Sequence, residues 1–140
     1  MISALDISTS GLIAQRMRLD AISGNLANIS PVVNENGQPE PYQPRYVEFQ
    51  IDDSLETSAG AVGVKVTSMQ KRNVEPNYKY DPDNPLAIQE GIHKGYVAYP
   101  RINMIEEFVN AMEATRSYEA NIGVMEVTKD LGQQTLRIIG

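Results

Sequence analysis

The sequence predicts an α+β protein: long N- and C-terminal helices paired as an α-helical coiled coil, with a small β-rich region between them. Three observations predict it. Leucine recurs every seven residues from Leu5 to Leu26, all eight prolines fall between Pro31 and Pro100, and a heptad pattern runs without proline from Met104 to Ile139. The division that follows is residues 1–30 as the first helix, 31–101 as the β-rich centre with long loops, and 102–140 as the last helix.

In the first segment Leu5, Leu12, Leu19 and Leu26 form one nearly straight stripe, with Ile22 and Ile29 three positions beyond the last two. Pro31 cannot continue a helix and restricts Ser30 before it. Asp6 and Ser8 are both possible N-caps. The central segment changes grammar. Asn36-Gly37 signals a turn, and Tyr46 to Ile51 alternates with the period of a strand. Val62 to Thr67 and Tyr96 to Tyr99 read as two further strands, while Asp81-Pro82-Asp83-Asn84-Pro85 must be loop.

From Ile102 onward Met104, Phe108, Ala111, Thr115, Tyr118, Ile122, Met125, Lys129, Gly132, Leu136 and Ile139 follow alternating steps of four and three. Lys129 and Gly132 are its flaws. Asn103 is placed to cap this helix, with Glu106 where a capping box needs it and Glu107 at the positive end of the helix dipole. At ~1.5 Å per residue the two helices would reach roughly 40 and 55 Å. Two such helices alone leave apolar surface wet, and a sheath of identical subunits would bury it. The competing arrangement is a two-layer monomer whose helices pack only on itself.

Composition narrows the function. The formal charge is −6 with no basic run, which speaks against nucleic-acid binding and against anionic membranes. There is no Cys, so disulfides, thiolate metal sites and Cys nucleophiles are excluded. The first thirty residues hold Asp6, Arg16, Arg18 and Asp20 and no continuous apolar run, so neither a cleavable secretory signal nor a spanning helix is expected.

No constellation supports catalysis, and neither a metal nor a cofactor is expected. His93 stands alone in a glycine-flanked stretch without placed partners, and reads as a surface loop residue. Asp81, Asp83 and Asn84 lack the Gly and Glu of a calcium loop, which would fall at Leu86 and Ile92. The side chains of Asp52-Asp53 and of Glu106-Glu107 diverge within each pair. Asn28-Ile29-Ser30 matches a glycosylation sequon, a short pattern that arises by chance. Asn25 and Asn28 have two readings: a fraying helix end, or amides that cross-link neighbouring helices and fix their register.

Ser10-Gly11-Leu12-Ile13-Ala14-Gln15-Arg16-Met17-Arg18-Leu19-Asp20, running into Ile22-Ser23-Gly24-Asn25-Leu26-Ala27-Asn28, resembles the N-terminal signature of bacterial flagellar rod and hook proteins. Tyr80 to Ala87, Gly95 to Pro100 and Arg116 to Asn121 resemble the proximal rod members of that family, as do Gly37-Gln38-Pro39 and Gly63 to Val66. The resemblance spans nearly the whole chain. It departs at Ile29-Ser30-Pro31, at Gly91 to Lys94, which looks like a small insertion, and at Arg101.

The resemblance implies a structural, non-enzymatic subunit of the basal-body rod, in its periplasmic part, within a tubular shaft that transmits torque for motility. It implies terminal helices packed round a narrow channel. Implied partners are other copies of the chain, other rod proteins and, in transit, the flagellar type III export apparatus, which removes no signal peptide. No nucleic acid or small-molecule substrate is implied. The alternatives are another axial protein of the same family and a soluble α+β binding module. The expected packing sets the stripe of Leu5, Leu12, Leu19 and Leu26 on one containing Phe108, Tyr118, Ile122 and Met125. Ile22, Asn25, Asn28 and Leu136 complete the expected contact set, and Gly11 and Gly24 would allow close helix approach.

Overall fold

The computed structural model describes residues 3–140. Two long helices flank four strands: α1 (Ala4–Ala27), β1 (Arg45–Glu56), β2 (Val62–Lys71), β3 (Asn77–Tyr80), β4 (Tyr96–Tyr99) and α2 (Met104–Ile139). The fold is α+β, as the sequence predicts.

Helix α1 starts one turn before either expected cap. Ser3 is the N-cap: its side chain accepts from the Asp6 amide, and the Asp6 carboxylate accepts from the Ser3 amide at 2.8 Å. This capping box satisfies two of the donors a helix start leaves free. Asp6 therefore works from the third helical position, and Ser8 is buried inside the helix. The helix ends at Asn28, whose amide bonds the Asn25 carbonyl, short of the expected residue 30. Helix α2 starts as expected. Asn103 Oδ1 accepts from the amides of Ile105 and Glu106, although the return bond that would complete a box is not among the bonds formed.

Strands β1 and β2 form an antiparallel hairpin, with register shifts at Glu48/Phe49 and between Asp52 and Glu56. Both strands run longer than the alternation indicates, because the bulges let the pairing continue past the breaks in apolar period. A second hairpin pairs β3 with β4, Asn77 opposite Tyr99 and Tyr80 opposite Tyr96. Strand β3 has no apolar alternation, since all four of its residues are exposed; its signal lies in its partner. Ala87 is buried in the loop between its strands, and Val97 and Ala98 are buried on β4, one on each face of the hairpin.

The helices pack side by side and antiparallel. Arg18 of α1 lies against Glu113 of α2, and Asn25 against Glu107 nearer the other end. That arrangement is compatible with a coiled coil. The β1–β2 hairpin packs on α1, joined by the Val64 amide donating to Ser10 Oγ at 3.1 Å. Gly63 permits this approach: a β-carbon there would stand 2.9 Å from the Leu55 side chain and 3.1 Å from Ser10 Oγ.

Candidate assembly interface

The seam between α1 and α2 is narrow and rich in small or polar residues. Ala14, Ala21, Ile22 and Asn25 are buried on α1, and Ala114 alone is fully buried on α2. Gly11 lets α2 approach, because a β-carbon there would lie 2.9 Å from Asn121 Nδ2. Gly24 serves another neighbour, the Tyr42 hydroxyl of the loop before β1. Arg18 reaches Glu113 at 3.2 Å and Asn110 at 3.4 Å across the seam. That pair is partly solvated and contributes little beyond register.

Asn25 ties three elements together. It is 2% exposed, and its amide nitrogen donates to the Arg45 carbonyl at 2.9 Å and to Glu107 Oε2 at 3.3 Å. Its Oδ1 accepts from the Arg45 amide at 2.8 Å. The side chain thus closes a two-way bridge onto the first residue of β1 while holding the first turn of α2. Of the two readings of these asparagines, Asn25 takes the cross-link, within one chain. Asn28 takes the local one: it is exposed, and its amide bonds the Gly24 carbonyl in the last turn of α1.

The expected packing of leucine stripe on aromatic stripe is not how one chain closes. Leu12, Leu19 and Leu26 are half-buried and Leu5 is exposed, about a quarter turn round α1 from Gly11, Arg18 and Asn25. On α2, Tyr118 and Met125 edge the seam half-buried, Ile122 is exposed, and Phe108 is 51% exposed. Leu136 is 71% exposed. The physical reason is size. Gly11, Ala14, Ala21 and Ala114 let the backbones come close, which a leucine-on-phenylalanine seam would prevent. Ala14 and Ala21 repeat with the same period of seven as the leucines, so the closing seam was present in the sequence as a second, smaller-residue stripe.

Much apolar surface stays open. Ile13, Ile105, Phe108, Val109 and Met112 are exposed on the paired stretch of the helices, and Leu131, Ile138 and Ile139 beyond it. Exposed apolar area of this extent is characteristic of an interaction surface.

Elsewhere the polar side chains are used structurally. Asn84 Nδ2 donates to Asp81, and Asn84 Oδ1 accepts from the Leu86 amide, so both side chains are spent on the turn. His93 stacks on Tyr78 with ring centroids 3.8 Å apart and planes 8° from parallel. Hydrogen bonds from Ser54 hold the Asp52 carboxyl below its ordinary range. Among the described residues, no three acidic or histidine side chains converge as a metal site would require, and no helix is long and apolar enough to cross a membrane.

Two family models match the chain. Residues 5–34 match "Flagella basal body rod protein", and residues 93–138 match "Flagellar basal body rod FlgEFG protein C-terminal". These spans hold all of α1 after its first residue and nearly all of α2. Among curated proteins, the flagellar basal-body rod protein FlgC of Salmonella typhimurium is 38% identical, the alignment covering 99% of this chain and 97% of the relative. FlgC of Borreliella burgdorferi is 35% identical with the same coverage. FlgC of Bacillus subtilis is 35% identical, covering 96% of this chain and 95% of the relative.

Proposed function

This chain belongs to the FlgC family of flagellar basal-body rod proteins, structural subunits of the bacterial flagellar rod, and from that premise we propose that it joins the rod through the outer apolar faces of its two terminal helices. The observation that carries this reading is the division of labour around each helix. A narrow small-residue seam closes the chain on itself, while Phe108, Val109 and Met112 stay exposed on α2 and Leu12, Leu19 and Leu26 of α1 are only half-buried. Burying one such large side chain contributes about 1.5–3 kcal/mol. A chain that leaves many exposed has its strongest favourable term still available when neighbours arrive.

The partners in this reading are further copies and other rod proteins. The contact set is Leu5, Leu12, Leu19, Leu26, Phe108, Tyr118, Ile122, Met125 and Leu136, while buried Ile22 and Asn25 hold the chain's own seam and Asn28 the end of α1. The role is mechanical and not enzymatic: the shaft carries torque through helix packing. The periplasmic position, and transit through the flagellar export apparatus without a cleaved signal, are part of the same proposal.

Phe108→Asp tests it. The residue is half-exposed and its loss should leave helicity and cellular level unchanged, yet the variant should be absent from isolated basal bodies. Leu19→Asp should behave the same way. Wild-type incorporation of Phe108→Asp would refute the outer-face reading.

A further inference from the structure

Between α1 and β1 the chain makes a short hairpin with Asn36 and Gly37 at its tip. Val33 bridges Pro39, the Asn34 amide donates to the Gln38 carbonyl at 2.8 Å, and the Glu40 amide donates to the Val32 carbonyl at 2.8 Å. Asn34 organises the tip. Its Oδ1 accepts from the amides of Asn36 at 3.0 Å and Gln38 at 2.9 Å, and its carbonyl accepts from the Gly37 amide at 2.9 Å. Gly37 sits at φ +74°, where glycine carries no penalty. Asn36 is held only by its backbone. Among the described residues its carboxamide makes no hydrogen bond, whereas those of Asn25, Asn28, Asn34, Asn84, Asn103 and Asn121 all do. Asn36 and Gly37 are both exposed, and no other asparagine in the sequence is followed by glycine.

We propose that Asn36 is a site of spontaneous deamidation, gated by the turn that holds Gly37. The Gly37 amide nitrogen loses its proton to solvent and attacks Asn36 Cγ. A new C–N bond forms, the Cγ–Nδ2 bond breaks, and the side-chain nitrogen takes up a proton from water and leaves as ammonia. The product is a five-membered succinimide. Water then adds to one of its two carbonyls, giving aspartate if the side-chain link opens or isoaspartate if the original backbone link opens. Water is the only co-reactant, and nothing is oxidised or reduced. Gly37 favours the first step because it has no side chain to crowd the attacking nitrogen, and the space round its α-carbon is open. The turn opposes that step. While the Gly37 N–H is donated to the Asn34 carbonyl, the protonated amide is stabilised and its nitrogen is fixed in the turn, so the tip must open before attack. Each conversion adds one negative charge to a chain already at −6. The isoaspartyl product also adds a carbon to the backbone, which throws the Val33–Pro39 pairing out of register.

The test incubates the purified chain in mildly alkaline buffer and follows every asparagine by fragmentation mass spectrometry. A gain of one mass unit at residue 36, with isoaspartate and aspartate both forming and the other asparagines intact, is expected. Converted chains should lose hydrogen-exchange protection at the Asn34 and Glu40 amides. Asn34→Ala should speed the reaction about fivefold, the factor that one net hydrogen bond is worth. Unfolding the wild-type chain in urea should speed it at least as much, a comparison that requires no variant to fold. Asn36→Gln, whose side chain would have to close a slower six-membered ring, should stay unconverted. Conversion first at another asparagine, or an intact residue 36 in both the native and the unfolded chain, would overturn the site. A native rate equal to the unfolded one, or to that of Asn34→Ala, would overturn the gate.

Discussion

Replacing Asn25 with alanine removes three hydrogen bonds at the one point where α1, β1 and α2 meet. The Arg45 amide loses its acceptor, the Arg45 carbonyl loses a donor, and Glu107 loses its neutral donor. An unsatisfied buried group costs about 1–3 kcal/mol. Arg45 is itself exposed, so water can reach part of its backbone, which sets the figure near the low end for each group. The 3.3 Å contact to Glu107 is the weakest of the three. We expect a loss of about 2–3 kcal/mol, a large share of a stability typically 5–15 kcal/mol. Urea denaturation of the purified protein, followed by helical circular dichroism, measures it.

Asn25→Asp keeps the shape but sets a second carboxylate beside Glu107 and gives up the donor to the Arg45 carbonyl. It should be at least as destabilising as alanine at neutral pH and should recover as the pH falls and carboxyls protonate. Asn28→Ala, one turn on, loses only an exposed local bond and should cost less than about 1 kcal/mol. The reasoning fails if Asn25→Ala unfolds within about 0.5 kcal/mol of the wild-type chain, or if the two asparagines prove equivalent.

Two further outcomes follow from close contacts and capping. Gly11→Ala gains about 1 kcal/mol of helix propensity but drives a β-carbon to 2.9 Å from Asn121, whose amide also bonds the Ser117 carbonyl; it should be neutral or destabilising alone and stabilising in an Asn121→Ala background, a coupling that a double-mutant cycle in urea measures. The Asp6 carboxyl is held below its ordinary 3.8 by hydrogen bonds from the Ser3 amide and then the Ser3 hydroxyl. A carboxyl depressed in the folded state stabilises it above that ordinary value and loses the contribution as pH falls through the lower folded one. NMR titration of Asp6 should therefore give a midpoint below 3.8, moving upward in Ser3→Ala, and an unmoved midpoint would refute the capping box.

What the sequence made legible, and what it hid, divides along the range of the forces involved. The two helices, the proline-bounded β region, the Asn103 cap and the turn at Asn36-Gly37 are local, set by periodicity and by residues that act on their own backbone. Strand β3 was hidden because Asn77 to Tyr80 carries no apolar alternation and is a strand only through its pairing with Tyr96 to Tyr99. The cap of α1 was misplaced by a turn because Asp6 satisfies both patterns: as an N-cap, or as the acidic partner of a serine three residues earlier. Choosing between them needs the bond from the Ser3 amide.

The interior seam was hidden for a different reason. A stripe of leucines and a stripe of glycine and alanine share the same period on α1, and hydrophobicity favours the leucines. Yet the structure spends the small residues on closing the chain and leaves the large ones at its flank. That division follows once the chain must bind neighbours. If the leucines and Phe108 were consumed internally, the monomer would be more stable, and the outer faces would offer a neighbour less apolar surface. A small-residue seam holds the helices in register through Asn25, Arg18 and the Gly11–Asn121 contact, none of which buries much apolar area. In the proposed assembly the larger apolar term acts between chains. A substitution that fills the seam, such as Ala14→Leu, should therefore splay the helices and disturb assembly at faces it does not touch. A substitution of Phe108 should disturb assembly while leaving the chain's own fold intact.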